Sequence, residues 1–556
     1  MRNFDTMKQV IFYLLALSLN QLSAQSRVDS IDVTQYTIRL KINQSSKTIA
    51  GLTELTVKSK VTSLQDINLD LLKLSVDSIK INNLSVPFQY NDTVLRVRNS
   101  TPILKYDSVK IAVYYHGTPV SDATWGGFYF IGQYAFNLGV GFDANPNSFG
   151  RVWFPCLDDF RSRSTFDYYI TTDTINKVFC NGLLQGTQVN GSNERTWHWK
   201  ETHLIPVYLS SVAIAPYTSI TRTLQSRLSG KSIPVILNAL VTDTAKLRSS
   251  FKNLDSALYI FEEVFGPYPF DKIGYNVVPF GGGAMEHTGN IAYPLFAVDG
   301  TLAYETMMAH ELSHSWFGGL YNSGTSADMW LNEGWASYCE SLFTEYVYGT
   351  ASFKKSVRAN HKYVLQFAHL KEGGYLPVSG VPHAYTYGTH SYKKGADVAH
   401  TFRNLCPQYS ANSVQALKNM FVNNTLLPVY GYWESDDKYF NCGGINQRNS
   451  WMKSPGFPHL KIKAFEVTTP IPNKFHLNVY LDRWAVGTKD AVGFVKDTSL
   501  IYLTAFGINW ERYDFTLTAL PFMSYPVAEP YYHLGQCTFL LILTSGSVML
   551  LPINMW

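Results

Sequence analysis

The sequence predicts a multidomain α+β protein: an N-terminal β-sandwich-like domain, a mainly helical central domain and a small C-terminal β-sandwich. Three observations predict it. From about residue 28 to 225 the chain is built of short alternating segments, among them YTIRLKI, TELTVKS, SVKIAVYYH, TFDYYITT, RTWHWKE and VYLSSVAIA, separated by turn residues. Alternation of apolar and polar side chains is the period of a half-buried strand. From about residue 245 the period changes, and KLRSSFKNLDSALYIFEEVFG reads as one amphipathic helix stopped by Gly266 and Pro267. Helical segments then continue to about residue 425. After SPGFPHLKIKAFEV, strand patterns return in KFHLNVYL and SLIYLTAF, which suits a sandwich. The expected boundaries are therefore 25–225, 226–455 and 456–556, while residues 427–450 carry no clear period.

The first 24 residues read as a cleaved export signal. Arg2 and Lys8 flank the start, VIFYLLALSL is the apolar stretch, and LSA precedes Gln25. The expected location is thus outside the cytoplasm, periplasmic or secreted. The chain closes on CTFLLILTSGSVMLLPINMW, interrupted by Gly546, Pro552 and Asn554 and without flanking basic residues. Buried strands are expected there, and no transmembrane anchor. Six scattered cysteines without C-x-x-C pairing form neither a zinc ribbon nor a disulfide scaffold. A net charge of +4 over 556 residues, with no basic patch, excludes a nucleic-acid partner.

The chemistry is concentrated in HELSHSWFGGLYNSGTSADMWLNE, residues 310–333. His310 and His314 are four apart, so a helix stacks them on one face, where they can grip one metal. Glu333 follows after eighteen intervening residues, near the start of a second helical segment patterned by Trp330, Trp335, Tyr338, Leu342 and Tyr346. Two imidazoles and a carboxylate suit one zinc ion with a coordination position left for water. Glu311 sits between the histidines at the spacing of a general base. Met307, Met308, Leu312, Trp316 and Phe317 make the segment apolar and hence buried. Buried His and Glu side chains are costly unless something pairs with them, and a metal does so.

Further motifs extend the reading. GGGAMEHTGNIAYP at 281–294 resembles the G-A-M-E-N segment of the gluzincin zinc aminopeptidases, the class of aminopeptidase N and leukotriene hydrolase. HELSH with WLNEGWASY resembles that family's zinc signature, SYKKGADV its Y-x-K-G segment, and RVWFPCLDDF the R-x-x-F-P-C-x-D motif of its N-terminal β-domain. The resemblance implies a thermolysin-like catalytic domain, with His310, His314 and Glu333 as zinc ligands and Glu311 as general base. It implies that Tyr392 steadies the transition state and that Glu286 recognises the substrate amine. Gly283, Ala284 and Met285 would present backbone to substrate. Tyr385 and Tyr387 are alternatives to Tyr392. His287 replaces the family's usual Asn. Asp143, with Asn145 behind it, is the candidate for a second amine contact, its alternative being a turn residue in D-A-N-P-N. A large helical lid is not expected after the catalytic domain.

Chemistry agrees with these assignments. A carboxylate at a fixed distance from zinc pairs with a free α-ammonium and so places the first peptide bond on the metal. A phenol can donate to a developing oxyanion without bringing full charge. The expected substrates are peptides with a free N-terminus. The alternatives are a zinc endopeptidase, which has no need of Glu286, an epoxide hydrolase of the leukotriene type, and a non-catalytic exported metal-binding relative.

Overall fold

The computed structural model describes residues 27–405, together with 417–418, 431–433, 452–471, 474–486, 494–495, 501–506, 512–517 and 537–541. The expected export signal, most of 427–450 and most of the C-terminal apolar stretch lie outside the described residues.

The N-terminal portion is β-rich, as the alternation predicts. An eight-stranded sheet runs in the order Leu183–Asn190, Glu194–Pro206, Arg163–Asp173, Ile31–Asn43, Thr48–Ser59, Ser108–Gly117, Ser75–Ile81 and Leu84–Val86. Its one parallel pairing joins Ile31–Asn43 to Arg163–Asp173, with Gln35 opposite Thr165 and Lys41 opposite Thr171. Along Ile31–Asn43, Val33, Tyr36, Ile38, Leu40 and Ile42 point into the core, with a register shift between Val33 and Gln35. A second, four-stranded sheet (Lys177–Cys180, Val212–Ala215, Tyr134–Gly141, Gly126–Ile131) turns towards the central domain.

The central domain begins earlier than the helical period does. Thr218–Gln225 pairs antiparallel with Ser232–Ala239, so the boundary expected at 225 falls inside a hairpin. That hairpin continues in parallel to Ile273–Val278 and then Ile291–Pro294. The last two strands were hidden in a stretch expected to be helical. Every residue in them is buried, so they lack the alternation that marks a half-exposed strand.

The helix expected from residue 246 onward is in fact two, Thr244–Ser250 and Leu254–Phe265. The chain breaks where Phe251 packs its ring on Tyr275 and Tyr293 and Asn253 donates to Glu305 Oε2 at 2.7 Å. The stop at Gly266 holds, with φ of 98° that an L side chain rarely adopts. Three further helices frame the site: Glu305–Ser313, Trp330–Tyr363 with a break at Gly349 (φ 81°), and Gly395–Leu405. No helix among the described residues is long and apolar enough to cross a membrane.

C-terminal strands are present where expected. Phe457–Ile471 pairs antiparallel with Lys474–Val486, which also pairs with Cys537–Leu541 at the head of the last apolar stretch. Ile501–Phe506 pairs with Arg512–Leu517.

Candidate metal centre and active site

His310 lies in the last turn of the Glu305–Ser313 helix, and His314 is the residue that ends it. Met308, Ala309 and Leu312 pack the helix into the core, which leaves the histidines on the remaining face. Beyond the helix, Gly318 adopts φ of 140°, and this lets the chain fold back on itself. The fold-back brings the Phe317 carbonyl to 2.8 Å from His314 Nδ1. A carbonyl only accepts, so Nδ1 carries a proton and Nε2 is the nitrogen turned towards Glu333. His310 Nδ1 is likewise 2.9 Å from Glu340 Oε1. Burial opposes ionisation of Glu340, but the hydrogen bond and charge of His310, with Lys393 and His314, together hold the carboxyl low, so a proton also sits on His310 Nδ1. Both Nε2 atoms are thereby prepared as ligands.

Glu333, in the first turn of the Trp330–Tyr363 helix, faces both of them. Its Oε2 is 3.4 Å from each histidine Nε2. One donor atom from each of the three residues lies within 4.8 Å of the others, and all three residues are buried. A zinc ion placed between them would contact each at about 2.0–2.2 Å. Tautomers, donor types and convergence fit zinc. Burial works against the charge of Glu333, yet His314 and His310 overcome it and hold the carboxyl at about 2. It is ionised at any ordinary pH, as a ligand must be.

Two more carboxylates share the pocket. Burial raises Glu311, with His310 and His314 pulling it back. Burial raises Glu286 to about 7, opposed by His314 and reinforced by Glu333 and Glu311. Four acidic side chains gathered around two imidazoles make a pocket whose field favours a dication and a substrate ammonium. Glu286 follows Met285, which is fully buried and fastened to Ala292 by backbone bonds of 2.9 and 3.0 Å. Gly283 and Ala284, by contrast, are only partly buried, and a side chain at Gly283 would meet open space.

The Tyr392 ring lies parallel to that of His310, with centroids 6.1 Å apart, and its hydroxyl has no hydrogen-bond partner among the described residues. Tyr387 also reaches the pocket. Its buried hydroxyl is unpaired, and the charges of Glu286 and Glu333 help keep it protonated after burial has done most of that work. Tyr385 points elsewhere, towards Gly373.

His287 does not face the pocket. It is 1% exposed and meets Asn137 Nδ2 of the β-domain at 3.4 Å, and burial lowers it to about 3. A neutral His287 is a seam residue between domains. Asp143 is exposed and accepts from the Thr124 hydroxyl at 2.6 Å, while its own N–H donates to Asp122. Its neighbour Phe142 reaches the site instead, stacking on Tyr387 at 4.6 Å. Sequence reading missed Glu340 as the support of His310, although it stands seven residues after Glu333 on the same helix face. It also missed Phe142, whose role depends on a contact across more than two hundred residues.

The profile of the peptidase family M1 domain matches residues 250–424, and that of the peptidase M1 N-terminal domain matches residues 33–209. Leucine aminopeptidase 2 of Vanderwaltozyma polyspora is 25% identical over 350 residues, 59% of this chain and 50% of that protein. Aminopeptidase M1 of Arabidopsis thaliana is 27% identical over 341 residues, 56% of this chain and 36% of that protein. This chain thus spans half or less of those relatives. A solved two-domain M1 zinc metallopeptidase variant bound to L-arginine shares the fold, with TM-score 0.61 at 21% identity over 72% of this chain and 88% of that one. A Deinococcus radiodurans M1 zinc metallopeptidase variant bound to a Tyr-Ser-Ala substrate shares it similarly, with TM-score 0.62 at 21% identity over the same shares of both chains. With two successive family domains in order, an M1-type fold and a His310, His314 and Glu333 triad that could hold a metal ion assembled between its helices, the chain belongs to peptidase family M1.

Proposed function

We propose that this protein is a zinc-dependent aminopeptidase that hydrolyses the first peptide bond of peptides with a free N-terminus. The observation that carries the reading is the convergence of His310, His314 and Glu333 beside the two buried carboxylates Glu311 and Glu286. The names of the relatives support it. Zinc, when bound, supplies Lewis acidity that polarises the peptide carbonyl and acidifies water.

The chain's own residues do the rest. Glu311 takes the proton of the attacking water and passes it to the leaving amine. Its raised pKa, caused by burial, suits a group that must both accept and return a proton. Tyr392 donates a hydrogen bond to the developing oxyanion. Glu286 pairs with the substrate α-ammonium, supported by the partly buried Gly283 and Ala284, and so selects the terminal bond. Asp143 is exposed and bonded to Thr124, so its part in holding the amine rests on the resemblance alone, whereas its neighbour Phe142 is packed against Tyr387.

A panel of fluorogenic aminoacyl amides, run with and without chelator and with an N-acetylated control, tests this reading. The expected outcome is turnover of the free amines, loss with chelator, recovery with zinc, and no cleavage of the acetylated compound. Efficient cleavage of the acetylated compound would point to an endopeptidase and sink the assignment of Glu286. The basic start, apolar stretch and LSA segment before Gln25 support export, which terminal sequencing of the mature protein from culture medium or periplasm would check.

A further inference from the structure

Between His314 and Glu333 the chain leaves one helix, turns through Gly318 and Gly319, and enters the next. That turn decides where the third metal ligand stands relative to the first two. Groups of the N-terminal β-domain hold it. Arg163 donates to Asn322 Oδ1 at 2.6 Å and also to the Gly319 carbonyl. Asn322 Nδ2 in turn donates to the Phe160 carbonyl at 2.7 Å. Asn332, the residue immediately before Glu333, donates from Nδ2 to the Tyr208 hydroxyl at 3.0 Å, while its Oδ1 accepts from Ser323 N–H at 2.8 Å.

The bonds of Asn322 and Asn332 are buried, and those of Arg163 are partly buried. Asn332 is 0% exposed and Tyr208 is 1% exposed. The Tyr208 ring packs edge-on against Phe160 at 5.1 Å, so its hydroxyl has little freedom to follow a moving partner. Its backbone is equally fixed, because a Cβ on Gly139 would lie 1.7 Å from the Tyr208 carbonyl oxygen. Removing one partner of such a bond leaves a desolvated group that finds another only if the segment shifts. Groups outside a metal's ligands commonly set its affinity by fixing ligand orientation.

We propose that Tyr208 and Arg163 are positioning residues for the metal centre, so that the β-domain, which supplies none of the three ligands, sets how tightly zinc is held. The proposal rests on the zinc reading above. The test uses the full-length protein and the metal alone. Zinc affinity is measured by chelator competition, and cobalt(II) is substituted to record its visible absorption. Tyr208→Phe and Arg163→Gln are each expected to weaken zinc binding by about 10–100-fold and to shift the cobalt spectrum. Lys272→Met is the control. Lys272 Nζ also bridges the domains, to the carbonyls of Cys180 and Gly182, but touches nothing between 314 and 333.

The control should lower thermal stability and leave zinc affinity and the cobalt spectrum where they were. Unchanged affinity in both Tyr208→Phe and Arg163→Gln overturns the proposal. Equal weakening by Lys272→Met does so too, since affinity would then follow global stability. If Arg163→Gln does not fold, Tyr208→Phe, which removes a single oxygen atom, decides alone. A parent protein that binds no zinc overturns the zinc reading itself, an outcome distinct from a parent that binds and variants that match it.

Discussion

Glu311 illustrates how much a single residue's role depends on its neighbours. Its place between the two histidines was legible in the sequence, because helical spacing alone puts His310 and His314 on one face. Its chemistry needs the tertiary environment, where burial raises the carboxyl while His310 and His314 restrain the rise. Glu311→Gln keeps the shape and removes the base. We expect zinc content to match the parent and kcat to fall by about 10²–10⁴-fold, the usual contribution of a general base. Metal analysis beside steady-state kinetics checks both halves, and substantial residual turnover would reassign the base. His287 shows the opposite case. Its neighbour Glu286 faces the metal ligands, but His287 turns to Asn137 of the other domain, and nothing in the run GAMEH distinguishes the two directions.

At the scale of elements, the metal site is a meeting of helices whose contact distances the sequence only hints at. The Trp330–Tyr363 helix touches the segment carrying Tyr392 at Gly334, where a Cβ would lie 2.7 Å from Gly395 Cα and 3.1 Å from the Ser391 carbonyl oxygen. Gly395 is the glycine of SYKKG, so this motif is in part the mark of two backbones in contact. Gly334→Ala gains about 1 kcal/mol of helix propensity. Overpacking against rigid backbone costs about 1–3 kcal/mol. We expect a net loss of stability by chemical denaturation, and a fall in kcat larger than that loss explains, because Glu333 and Tyr392 move apart. Activity equal to the parent would show that the contact is slack.

A second element-level prediction concerns His203, at the seam with Asp271. Its hydrogen bond to Glu201 raises its pKa, with burial and Lys231 opposing and Asp271 adding to the rise. A group raised in the folded state stabilises fully below its unfolded value, about 6.5. That contribution is lost as pH rises through the higher folded value. The stability gap between the parent and His203→Gln should therefore narrow as pH climbs from 6.5 into the mildly alkaline range. A gap that widens would reverse the assignment.

Over the whole molecule, the β-domain and the central domain are joined by buried polar bonds rather than by apolar packing alone. Asn181 Nδ2 donates to the Thr288 carbonyl at 2.8 Å, and Asn290 Nδ2 to the Phe179 carbonyl at 3.1 Å. These bonds secure the strand that leads from Glu286, while Arg163 and Tyr208 secure the turn before Glu333. A metal at His310, His314 and Glu333 closes the same arrangement from the inside. Stripping zinc with chelator should lower the thermal midpoint, and adding zinc should restore it. Free zinc a thousandfold above its dissociation constant stabilises by about 4 kcal/mol. A midpoint indifferent to chelator would mean that the site is not loaded.

The sequence by itself determined the β-rich start, the helical centre, the return of strands after residue 455 and the three candidate metal ligands with Glu311 between them. Each follows from local spacing, which a linear chain records faithfully: four residues for two ligands on a helix face, two for a strand, eighteen for the step between helices. Tertiary structure alone decided the rest. It broke the helix at Phe251–Asn253, hid two strands by burying both their faces, turned His287 away from the pocket, brought Phe142 onto Tyr387, and placed Tyr208 beneath Asn332. These are contacts between residues far apart in the chain, governed by packing and by the need to pair every buried polar group, and no local period encodes them.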